Sequence, residues 1–231
     1  HFHFFLTNDT TQDAYSVLTA KYILYSYLLP ENAKKIHYKA DGAGCFASNV
    51  SKAAMLAWKE MTGKQEISYR ISVAGGGKTK LDGSFGHFSA KLKSAVKMGR
   101  DFYDAETICD AIEGTGGIQA CSCHVFSPVR NGENDWKTEV KTLKQYPKLE
   151  LQEDGNIKGY FHSQYGSGHT IMAEDINTKW NGGKIPDFPE YTWTIVTAPE
   201  KNEITNQHST VKNQIRKKEQ MEQELAENQN W

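Results

Sequence analysis

Residues 67–83 read ISYRISVAGGGKTKLDG, and the fold turns on how this stretch is read. Apolar residues at Ile67, Tyr69, Ile71 and Val73 alternate with polar ones, the pattern of a strand with one buried face. Three glycines, a lysine and a threonine follow. A phosphate loop of the G-x-x-x-x-G-K-[ST] kind would need glycine at position 72, where Ser72 stands. That loop also works by opening a helix at its lysine, so that backbone N–H groups and the helix dipole face phosphate. Gly83 and Gly86 place the expected helix start near Ser84, so VAGGGKT is the weaker of the readings considered, a nucleotide-binding protein.

Working outward, the same logic yields a series of elements. Residues 1–7 read as an aromatic-rich strand. Asp9, Thr10 and Thr11 offer helix caps before Tyr15, Leu18, Tyr22 and Tyr25, which repeat at helical spacing up to Pro30. A short strand at 34–40 ends at Asp41 in the turn DGAG. An Ala-rich helix spans 49–61 and stops at Gly63. A third helix spans 84–98, closed by Gly99, and a fourth covers about 104–112. Strand and helix in alternation predict an α/β sheet with neighbouring parallel strands and flanking helices. After Gly117, short strand-like pieces at 118–126, 149–151, 158–161 and 191–197 predict a small β-rich segment. The expected domains are therefore a core at 1–117, a β-rich part at 118–198 and a charged helical tail at 199–231.

Composition bounds the function. The 231 residues carry Lys+Arg 27 against Asp+Glu 28, a formal charge of -1, so nucleic-acid binding would have to come from a local patch. No apolar run approaches the ~20 residues of a spanning helix, and no signal peptide is present, which predicts no membrane partner and an intracellular protein. Four cysteines are too few and scattered for a disulfide framework. Cys121-Ser-Cys123-His124 is read as reduced cysteines alternating along a strand in preference to a zinc site, and His87 as a helix-face or core histidine in preference to one that assists a metal site beside Asp82. The chain opens HFHFFLT, which reads as a fragment of a longer polypeptide.

Two carboxylates remain. Asp41 ends a strand and Asp82 precedes a helix, and open parallel sheets place ligands outside the carboxyl ends of their strands. Two acids on such a rim can hold a hard divalent cation. Asp-Gly is equally an ordinary turn, and both residues could be no more than that.

The phrase IHYKADGAGCFASN, with Asp41 at the strand end and Asn49 opening the next helix, resembles the second-acid segment of transposase-derived domains with a ribonuclease H-like fold. Gly77-Lys78, three residues, then Asp82-Gly83 resemble the family's next landmark, and residues 85–112 resemble the basic helix and short Ala-Glu-containing helix that follow it. The similarity covers roughly residues 1–120.

The resemblance implies a ribonuclease H-like mixed sheet with flanking helices, truncated at its N-terminus, that binds Mg2+ or Mn2+ and cuts or joins DNA. Asp41 and Asp82 would be the second and third acids, catalytic and metal-binding. The first acid would lie upstream of His1 or be lost. Lys78 and Lys80, with Lys93 and Lys97 on the helix, would contact DNA phosphates. The localisation implied is nuclear if the source is eukaryotic, and a homo-oligomer is left open. The competing class is a domesticated, non-catalytic nucleic-acid-binding or assembly module of the same fold.

Overall fold

The computed structural model describes residues 1–72, 80–128, 140–162, 166–178 and 191–196, the side chains of 80, 81, 178, 195 and 196 excepted. Lys78, the side chain of Lys80 and the expected tail at 199–231 lie outside the described residues. The architecture is mixed α/β, with a mixed multi-stranded sheet flanked by helices. The chain divides into two units, each formed from separate stretches. One comprises 1–6, 82–125 and 194–231; the other comprises 7–81 and 126–193.

The larger unit is built on a five-stranded sheet. β2 (Lys35–Ala40) pairs in parallel with β3 (Gln65–Ile71), and β5 (Lys148–Leu151), β6 (Ile157–Tyr160) and β7 (His169–Ile171) extend it antiparallel in the order β2-β3-β5-β6-β7. Between β2 and β3 lie the short helices α2 (Gly44–Ala47), α3 (Asn49–Ala53) and α4 (Trp58–Thr62), the last stopped by Gly63 at φ 70°. That left-handed turn favours glycine, as the sequence requires. α1 (Ala14–Ile23) precedes β2 and ends in a π-helical turn at Leu24–Leu28. Its cap is Asp13, which accepts the Ser16 N–H at 3.0 Å, while Asp9 accepts that of Thr11 in a turn just upstream.

Leu18 and Tyr25 of this helical stretch, Met55 and Trp58, and Tyr69, Leu149 and Ile157 of the sheet form one buried core. Tyr25 and Trp58 are therefore packing residues, with Tyr22 partly buried against them.

A β-bulge shapes β3. Ile36 pairs with Glu66 but His37 pairs with Ser68, so Ile67 is the extra residue. Strand side chains alternate, and one inserted residue turns the preceding ones over. Glu66 thus faces the core together with Tyr69, and Ser68 and Arg70 face outward.

The smaller unit has its own core of Phe4, Ala105, Cys109, Ile112, Cys123 and Val125. β1 (Phe2–Leu6) pairs in parallel with β4 (Cys121–Pro128), and the sheet order is β1-β4-β8, with β8 at Tyr191–Val196. The unit division falls inside β4 and inside β8. α5 (Lys80–Lys97) and α6 (Ala105–Glu113) complete it. α6 opens with a capping box in which the Asp104 carboxylate takes the Thr107 N–H at 2.7 Å and the Asp104 N–H donates to the Thr107 hydroxyl at 3.2 Å.

Candidate nucleic-acid interface

Asp41 follows the last residue of β2 and is exposed. Its Oδ1 accepts the Ala43 N–H at 3.0 Å, so the side chain closes the turn it sits in. The parallel pairing brings the end of β3 alongside, with the Ser72 N–H donating to the Ala40 carbonyl at 2.8 Å. Asp41 therefore occupies the carboxyl rim of the β2–β3 pair, the rim from which the glycine-rich stretch departs.

Asn49 opens α3 as the sequence suggests. Its side-chain oxygen takes the Lys144 N–H at 2.7 Å, a structural tie, and Ser48 supplies the cap by accepting the Ser51 N–H at 3.0 Å.

Asp82 lies in the first turn of α5 and is exposed. α5 begins at Lys80, four residues earlier than the glycines suggest, because Gly83 and Gly86 cost a helix only about 1 kcal/mol each while the helix runs 18 residues. Lys93 and Lys97 are exposed on α5. Two neighbours in the basic stretch are otherwise engaged. Lys91 donates to the Thr115 carbonyl at 2.7 Å, and Arg100 Nη1 lies 3.4 Å from the Asp110 carbonyl. His87 is exposed on the same helix. Asp41 belongs to the larger unit and Asp82 to the smaller.

As donors, the two acids fit a divalent ion in chemistry: both present hard oxygen ligands at the surface, where a magnesium ion can keep several waters. Among the described residues no group of three or more His, Cys, Asp or Glu side chains is placed to hold a metal.

The Cys121-Cys123-His124 run does not converge on one point. Cys121 and Cys123 point with the period of the strand into the smaller unit's core, and His124 points the other way, its Nε2 2.9 Å from Nδ1 of His3. All four cysteines are free thiols.

The feature that sequence reasoning missed is the outward face of the five-stranded sheet. On β2 it carries Lys35, His37 and Lys39, all exposed. Register then builds two rows across the strands. One runs His37, Ser68, Glu150, Lys158, Thr170; the other runs Lys39, Arg70, Lys148, Tyr160. Neighbouring strands lie about 4.8 Å apart, so the second row sets three cations side by side over roughly 10 Å. Like charges directly opposite destabilise a sheet.

One carboxylate, Glu150, tempers this row. It sits 2.6 Å from Lys148 Nζ and accepts the Tyr160 hydroxyl at 2.9 Å, and the Lys148 hydrogen bond holds its carboxyl below the usual range. Lys148 Nζ also lies 4.7 Å from the centre of the Tyr160 ring. The face is hollowed into a groove of about 550 Å³ whose walls include His37, Lys39, Arg70, Lys148 and Glu150. The signal existed in the sequence as Lys35, His37 and Lys39 at alternate positions and Arg70 on an adjacent strand, but only the β3–β5 pairing joins them to Lys148.

No family model matches the chain, and no curated protein or solved structure is similar enough to count as a match. Among the described residues no helix is long and apolar enough to cross a membrane.

Proposed function

We propose that this chain is part of a ribonuclease H-like, transposase-type core that acts on DNA with divalent metal ions. The observation that carries the reading is the position of Asp41, exposed at the carboxyl rim of the parallel β2–β3 pair. Parallel sheets put their chemistry at that rim. In this reading Asp41 and Asp82 are the carboxylate ligands for Mg2+ or Mn2+. The ions would supply Lewis acidity and an activated water when bound. The chain's own part is to present two carboxylates and to steer phosphate through Lys78, Lys80, Lys93 and Lys97.

Manganese binding, followed by the ion's paramagnetic resonance signal, tests this without asking for turnover. The expected result is binding by the intact chain that falls at least tenfold in Asp41→Asn and in Asp82→Asn. Equal binding by all three proteins, or none by any, ends the metal reading.

A second reading draws on the early start of α5, two residues after Lys78, which puts a helix opening close behind the glycines. Nucleotide binding lost in Lys78→Ala and kept in Asp82→Ala would favour that cradle.

A further inference from the structure

We propose that the outward face of the five-stranded sheet is a docking surface for single-stranded nucleic acid. Five strand residues of this face are cations (Lys35, Lys39, Arg70, Lys148, Lys158) and one, Glu150, is an acid. The face is therefore strongly positive on a chain whose overall formal charge is -1. A contiguous row of three like charges is unfavourable for the protein alone and is relieved by a polyanion, which makes phosphate the complementary partner.

Three properties favour a nucleic-acid strand over an acidic protein or a lipid surface. The row is concave, lying in a groove of about 550 Å³ that a flat bilayer would not fill. Tyr160 ends the row beside Lys148 and Lys158, and an aromatic ring among cations is the arrangement on which bases stack while phosphates are neutralised. The row sets three cations within roughly 10 Å, a spacing that the backbone of one flexible strand can follow. The surface shares its partner with the proposed function but none of its carboxylates, so each can fail without the other.

The test is fluorescence anisotropy of a labelled thymidine oligomer of about 20 nucleotides, titrated with the full chain in EDTA between about 50 and 200 mM salt. The intact chain is expected to bind with an affinity that falls steeply with salt. Lys39→Ala and Arg70→Ala should each weaken binding several-fold and reduce the log–log salt slope by about 0.7. Arg70→Lys should hold most of the slope, and Lys59→Ala, an exposed cation of α4, should change neither quantity. Circular dichroism confirms that each variant is folded, which these exposed positions permit.

No binding at about 50 mM salt, or binding indifferent to Lys39→Ala and Arg70→Ala, overturns the proposal. So does a duplex of the same length binding as tightly. Stronger binding of polyglutamate or of phosphatidylserine vesicles, sensitive to the same two substitutions, reassigns the face to an acidic protein or a membrane and overturns it equally.

Discussion

Lys21 of α1 and Glu66 of β3 meet in the core at 2.6 Å, 4% and 0% exposed. The Tyr25 hydroxyl donates to the same carboxylate oxygen at 3.0 Å, and the ammonium lies 3.8 Å from the centre of the Tyr38 ring and 4.8 Å from that of Tyr69. Burial pushes the lysine pKa down and the glutamate pKa up, so each needs the other to stay charged. Breaking such a pair leaves an uncompensated buried charge, whereas removing both can be nearly neutral. Lys21→Met alone should therefore cost about 3–5 kcal/mol in urea unfolding. Adding Glu66→Leu to it should recover most of that loss.

His124 makes a second residue-scale prediction. It is 1% exposed, and burial, reinforced by His3, pushes its pKa down to about 4; His3 is lowered as well, first by its own burial. Between pH about 4 and the ordinary value near 6.5, the unfolded chain holds more protons at this site than the folded one. Stability at this site is thus complete above pH 6.5 and falls as the pH drops toward 4, by at most about 1.4 kcal/mol per unit. Urea midpoints measured across that window should fall in the intact chain and fall less in His124→Gln.

At the scale of elements, much was legible because the signals were local. Lys35–Ala40 alternates cleanly, Gly63 and Gly99 stop their helices at φ 70° and 74°, and Asp104 caps α6 where Thr107 can answer it. What was not legible depended on distant partners. Glu66, three residues before Tyr69, should face away from it on a regular strand, and only the bulge at Ile67 turns it inward. The partner of β1 is β4, and no local pattern in HFHFFLT points to residues 121–125. Of the candidate site, the position of Asp41 at a strand end was readable. The basic rows were not, since they exist only once β5 is hydrogen-bonded to β3.

β6 adds a packing prediction. A Cβ on Gly159 would lie 2.7 Å from Cγ of Tyr146, a residue 3% exposed and held in the core. Neither the strand nor the ring can yield cheaply, so Gly159→Ala should destabilise by about 1–3 kcal/mol in thermal or urea unfolding.

At the scale of the molecule, a formal charge of -1 conceals an uneven distribution. A chain without a net field cannot steer a polyanion from far away, since charges more than about 8–10 Å apart in physiological salt are screened. Any capture of nucleic acid must come from a local patch at close range, and the sheet face provides one. The two units also have separate cores, one centred on Trp58 and Tyr69, the other on Phe4 and Cys109.

The parallel pairing of β1 with β4, from Phe2↔Cys121 to Leu6↔Val125, has a consequence during protein synthesis. At roughly 5–20 residues per second, β1 leaves the ribosome on the order of ten seconds before its partner is made. The meander β5-β6-β7, by contrast, can close on itself within a few turns of chain. Phe2, Phe4 and Phe5 therefore lack their native pairing partner during that interval, and a nascent chain halted before Cys121 cannot form this ladder.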